Sequence, residues 1–285
     1  METIGKQTLR SFDAEGQISS MTCTSIRKSN GLHVRNFREL AARVAELQFR
    51  NRDFILLYRG QKTDYRNRAG NTTIRPSILR HTAAAEKASS VQVERRFSYL
   101  TTYETNLIHH INEIIPDSET GRRLRRERIL RWSILQHYEI CPTPLLDVTH
   151  SLRVAASFAS DDAEDEAFVF ALGLPNLSGA VTASVEAGLQ IVRLASVCPA
   201  VAMRPHIQEG YLLGEYPEVS SADQKGLYES YELDFGRRLL AKFRFNPRSF
   251  WNDQEFPRIE RSARYPEDDP LERTLGRLRS SVQDL

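Results

Sequence analysis

The chain has only three cysteines, Cys23, Cys141 and Cys198, in 285 residues. Their odd number and wide spacing supply neither a disulfide framework nor a CxxC metal signature, and they fit a reducing compartment. Each reads as a small apolar filler; Cys141, close to His137 in sequence, has a second reading as a nucleophile. No run of about 18 apolar residues occurs, so neither a spanning helix nor a membrane partner is expected. The opening METIGKQTLRSFDAEGQISS lacks an apolar h-region, so no secretory signal is expected and the location reads as cytoplasmic. Neither charge sign dominates: 39 Lys and Arg face 37 Asp and Glu, a net +2. The bulk charge therefore advertises neither nucleic acid nor an anionic membrane. Walker, GxGxxG, HExxH and GxSxG patterns are all missing, which removes support for several familiar enzyme classes. No repeat and no low-complexity linker stands out, and no metal is expected.

What is there is a mixture of helical and strand periods. Residues 1–30 are polar and read as a loose or strand-like lead-in. From 35 to 49, Phe37, Leu40, Val44 and Leu47 recur three to four apart, an amphipathic helix. FILLY at 54–58 reads as a buried strand ended by Arg59-Gly60-Gln61. A helix over 84–115 and a second from about 118 to 138 form a helical hairpin inserted between strand-like regions. LLDVT at 145–149 is the next strand, with Ser151 capping a helix to about 160. AFVFALGL (167–174), 191–197, 210–214 and LLAKFRF (239–245) are further strand candidates, and 246–285 is helical at both ends. Without a regular βαβ rhythm this is an α+β chain, read as one domain over 31–285 with the helical insertion at about 84–138.

Three segments carry residues suited to chemistry. LLYRGQ puts the Arg59 guanidinium, a planar fork for phosphate or carboxylate, beside a glycine that permits close approach. A plain ion pair with a core-edge acid such as Asp147 is the alternative. QHYEICPTPLLDVTHS sets His137 and Tyr138 at a helix end and Asp147 and Thr149 on one strand face. Asp147 lies among apolar residues and needs a partner, with Arg59, His137, His150 or a backbone cap in reach. Here the alternative is purely structural: Thr149 and Ser151 cap the next helix and Asp147 ties the turn. RPHIQEGY offers Gln208 and Glu209, which point to opposite faces if a strand begins near 207. Six arginines in RRLRRERILR (122–131) read as a solvated helix face, with phosphate contact as the alternative.

The same segments resemble the FRG-domain family, named for a Phe-Arg-Gly strand end. Tyr58-Arg59-Gly60 is similar to that triplet, RPSILR (75–80) to its P-S-L-x-R, and QHYEICPTPLLDVT (136–149) to its Q-H-Y-G-x-P-T-R-L-L-D-W-T. Pro144 and Val148 stand where Arg and Trp are usual, and the middle is altered. The AASFA helix, RPHIQEGY and YPEDDP complete a likeness over about 35–280.

More distantly, the layout is similar to ADP-ribosyltransferases, which implies a split mixed sheet and NAD as substrate. On that resemblance Arg59 anchors NAD, with Gly60, Gln61, Tyr138 and Ser151 also contacting it. Thr149 and Ser151 form the second element, His137 and Asp147 support it, and Gln208, or else Glu209, takes the place of the catalytic Glu. The expected function is an ADP-ribosyltransferase-like intracellular effector or toxin acting on an unknown protein or nucleic acid. An NAD glycohydrolase and a non-catalytic nucleotide- or protein-binding module are the alternatives.

Overall fold

The computed structural model describes residues 9–80, 88–114, 119–176, 178–226 and 233–283. In chain order its strands are β1 (Leu9–Phe12), β2 (Ile18–Met21), β3 (Leu32–His33), β4 (Ile55–Gln61), β5 (Leu146–Thr149), β6 (Ala167–Leu174), β7 (Val181–Ser184), β8 (Leu189–Arg193), β9 (Gly210–Glu215) and β10 (Leu239–Phe245). Its helices are α1 (Cys23–Lys28), α2 (Phe37–Arg50), α3 (Ser90–Ile114), α4 (Glu119–Arg126), α5 (Arg128–His137), α6 (Leu152–Ala159), α7 (Leu194–Val197), α8 (Arg204–Ile207), α9 (Ala222–Gly226), α10 (Pro247–Phe250), α11 (Arg261–Arg264) and α12 (Pro270–Gln283). The chain is α+β. It divides into two interleaved units, Met1–Arg75 with Val148–Leu177 and Glu232–Arg261, and Pro76–Asp147 with Ser178–Tyr231 and Ser262–Leu285.

In the first unit the strand order is β3-β10-β6-β4-β5, with β3 parallel to β10 and the other ladders antiparallel. β6 is buried at all eight positions, as its unbroken apolar run requires. The stripe expected on α2 is the buried one: Phe37, Leu40, Val44 and Leu47. Asn36 caps that helix by accepting from the Glu39 amide. Over its described residues the polar lead-in forms the β1–β2 hairpin and α1; residues 1–8 lie outside the described residues.

The strand expected over 54–58 continues to Gln61, so Arg59-Gly60-Gln61 forms its last three paired residues instead of a turn that follows it. β4 pairs with β6 without interruption from Ile55↔Leu174 to Gln61↔Phe168, and this ladder carries the polar residues that a local hydrophobic pattern cannot. Downstream, the strand expected at 191–197 spans 189–193, and 194–197 is helical.

In the second unit β7, β8 and β9 form an antiparallel set, and α3 packs with α4, α5 and α12. The long second arm of the hairpin is two helices, broken at Glu127 (φ −110°, ψ 108°). Arg131 compensates the break. Its guanidinium donates to the freed carbonyls of Leu124 (2.8 Å) and Arg125 (3.1 Å) and to Glu104 (3.0 Å). Of the six arginines only Arg131 is buried; Arg122, Arg125, Arg126 and Arg128 are exposed, as a solvated face would be. Residues 84–87 and 115–118 of the expected helices lie outside the described residues.

Candidate functional site

α5 ends on a motif that aims its last residues. The Glu139 amide donates to the Gln136 carbonyl (3.0 Å) and the Ile140 amide to the Leu135 carbonyl (2.9 Å), with Glu139 in the left-handed region at φ 54°. This is a Schellman closure. It stops the helix at His137 and turns the chain toward β5, which brings Asp147 back beside Gln136 and His137.

The result is a hydrogen-bonded chain within the second unit. Thr143 Oγ1 (2.5 Å) and Ser77 Oγ (3.2 Å) donate to Gln136 Oε1. Gln136 Nε2 donates to Asp147 Oδ2 (2.6 Å), and His137 Nδ1 lies 3.2 Å from Asp147 Oδ1. The carboxylate can only accept, so Nδ1 carries a proton, and in the neutral ring the lone pair is on Nε2. His137 Nε2 is buried with no hydrogen-bond partner among the described residues, and the side chain is 3% exposed. Asp147 is 36% exposed, so the pair runs from solvent into the protein.

β9 closes on this imidazole. A Cβ built on Gly210 would lie 2.7 Å from Leu194 Cδ1 and 3.3 Å from His137 Cε1. Glycine is what allows the strand so near the ring. Ser77, Gln136, Thr143 and Gly210 escaped the sequence reading as site residues. Each lies in one of the quoted segments, and that was the available signal.

Gln208 is placed differently from the expectation. β9 begins only at Gly210, and Gln208 is the C-cap of α8, so strand alternation does not apply to Gln208 and Glu209. Gln208 is buried and donates from Nε2 to the Arg264 carbonyl (2.8 Å). Glu209 is exposed, with φ 45°. Tyr138 is fully buried; its hydroxyl donates to Asp269 (3.0 Å), and burial together with that carboxylate pushes its pKa up. Asp269 also accepts from the amides of Met203, Arg204 and Leu271, which makes it the tie of the YPEDDP connector. Cys141 is buried, which pushes its thiol up to about 12; this favours the filler reading over the nucleophile.

Arg59, Gly60, Gln61, Thr149 and Ser151 belong to the first unit. Thr149 lies across from Tyr58 in the β4–β5 ladder, so by alternation Arg59 projects from the opposite strand face, alongside Phe170. A Cβ on Gly60 would lie 1.9 Å from the Ala155 carbonyl oxygen and 2.7 Å from the Ala159 nitrogen. The backbone of α6 therefore rests on Gly60, which explains both the glycine and the alanine-rich helix. Thr149 Oγ1 accepts from the Ser151 amide (3.0 Å), and Ser151 caps α6. The capping expected of Ser151 is observed; Thr149 instead holds the amide of the cap residue.

Among the described residues, no group of three or more His, Cys, Asp or Glu is placed to hold a metal, and no helix is long and apolar enough to cross a membrane. Residues 55–167 match the family model described as FRG domain. No curated protein and no solved structure matches the chain.

Proposed function

For this chain with an FRG domain, we propose an NAD-consuming, ADP-ribosyltransferase-like activity in which His137 is the proton acceptor. One observation carries the reading: Asp147 holds His137 Nδ1, and Nε2 is left without a partner among the described residues. That is the arrangement of a general base held by an orienting acid. The bond broken is that between nicotinamide and its ribose. An acceptor hydroxyl forms the new bond to the ribose carbon, its proton passes to His137 Nε2, and nicotinamide leaves neutral. Asp147 stabilises the resulting imidazolium, while Gln136, Ser77 and Thr143 hold Asp147. Support for the ADP-ribosyl part comes from the resemblance. The strand bearing Arg59 pairs with the strand that ends at Thr149 and leads to Ser151. Because the Gln208 amide is committed to Arg264, charge stabilisation by a third carboxylate is not supplied there. Water is therefore the favoured acceptor, and a protein or nucleic-acid hydroxyl the other.

The test is incubation of the full chain with adenylate-labelled NAD, following nicotinamide release and label transfer. Release that falls in His137→Gln is expected. Neither release nor transfer by the native chain would overturn the reading. A second reading, a non-catalytic nucleotide- or protein-binding module, is favoured by the commitments of Gln208 and Tyr138 to structural partners. It calls for calorimetric NAD or partner binding without turnover.

A further inference from the structure

A second surface in the first unit has a different chemistry. A hollow of about 600 Å³ is lined by Arg10, Ile18, Phe49, Arg50, Arg52 and Asp53. Phe49 is 59% exposed at the end of α2, an amphipathic helix whose other large apolar residues are buried. The Arg52 guanidinium lies 4.2 Å from its ring centroid and that of Arg50 5.7 Å. Buried Asn51 fixes the third arginine beside them. Its side chain accepts from the Arg10 amide (3.2 Å) and donates to the Arg10 carbonyl (2.9 Å), pinning β1 to the helix end. Among the described residues none of these three guanidinium groups is paired with a carboxylate; Arg10 reaches Ser20 and Arg52 reaches the Phe49 carbonyl. A helix C-terminus favours cations, which accounts in part for Arg50 and Arg52. It accounts for neither the exposed aromatic nor Arg10.

We infer that this surface binds single-stranded nucleic acid, independently of the NAD reading. Three cations beside one acid match a phosphate backbone. An exposed ring flanked by guanidinium planes is a stacking platform for an unpaired base, which an acidic protein segment does not need. The bulk net charge of +2 conceals this, because the basic excess is local.

The experiment measures anisotropy of a short fluorescein-labelled oligo(dT) with the full chain, between about 50 and 200 mM salt. Three phosphate contacts give a log–log salt slope of about −2, at about −0.7 per contact on single strands. Phe49→Ala is expected to weaken binding about tenfold with the slope kept, and Phe49→Tyr to restore it. The triple variant Arg10→Gln/Arg50→Gln/Arg52→Gln is expected to flatten the slope, and Arg122→Gln/Arg126→Gln on the arginine helix to leave binding unchanged. All four positions of the first two sets are exposed, so melting curves should match the native chain. The inference is overturned by no binding of oligo(dT), by equal binding of a duplex with no effect of Phe49→Ala, by loss of binding in the Arg122/Arg126 variant alone, or by an acidic phosphopeptide that displaces the oligonucleotide at lower concentration.

Discussion

His137 Nδ1 lies 3.2 Å from Asp147 Oδ1, while the other nitrogen of the same ring is buried without a hydrogen-bond partner among the described residues. Ten residues of chain separate the two side chains, and a helix end, a left-handed residue and a short strand bring them together.

If this pair transfers a proton, Asp147→Asn should act on rate far more than on stability. The amide oxygen still accepts from Nδ1, but its NH2 group then faces the Gln136 Nε2 donor, and the side chain no longer stabilises an imidazolium. Nicotinamide release at saturating NAD should fall by about 10²–10⁴-fold, the range for a lost acid–base partner. Asp147 is partly exposed, so the lost acceptor for Gln136 should cost only about 1 kcal/mol of stability. A variant that keeps its rate would reduce the pair to a structural tie.

Gly60 and Gly210 should respond unequally to alanine. At Gly60 the new methyl meets the backbone of α6, which cannot swing away. A cost of about 3 kcal/mol is expected, the upper end for overpacking. At Gly210 it meets the end of the Leu194 side chain, which can rotate, and about 1 kcal/mol is expected. Urea unfolding of the two variants gives the ranking directly, and an equal cost would contradict the placement of α6.

Glu139 occupies a position where the resembled pattern carries glycine, and its φ is 54°. Removing its carboxylate loses the contacts with Arg204 (2.8 Å) and Tyr265 (3.2 Å). Glu139→Gly and Glu139→Ala lose these alike, but only alanine keeps a Cβ in the left-handed region. The glycine variant should therefore be the more stable by about 1 kcal/mol. Chemical denaturation of both isolates the backbone contribution.

Alkaline conditions should destabilise the fold. Burial pushes the phenols of Tyr58 and Tyr265 and the thiols of Cys141 and Cys198 up to about 12. Above the ordinary values the unfolded chain loses these protons first, so it binds fewer protons than the folded chain and stability falls as pH rises. The loss runs from about pH 9 to about pH 12, at up to about 1.4 kcal/mol per pH unit for each group. Tyr58→Phe should show a shallower slope of denaturation midpoint against pH, and an unchanged slope would argue against this burial.

Much of the secondary structure was legible locally. AFVFALGL and LLAKFRF are strands over the residues their apolar runs mark, and Ser151 caps the helix it precedes. These features depend on neighbours within a few residues. The extent of β4 was not legible, because Arg59 and Gln61 are held by ladder partners more than a hundred residues away in sequence. Nor was the place of Gln208, whose amide is bound by a carbonyl 56 residues on.

By itself, the sequence determined the α+β class, the FRG motifs, helix running up to the His137-Tyr138 pair and the strand that carries Asp147. Hydrophobic period, capping and turn chemistry are short-range and are written in consecutive residues. Only the tertiary structure decided that Ser77 and Thr143 hold Gln136 against Asp147, that Gly60 bears a helix and Gly210 lies against an imidazole, and that Arg10 lines one hollow with Phe49, Arg50 and Arg52. Those facts depend on backbone approach and side-chain direction between distant segments, which close packing selects and linear order does not encode.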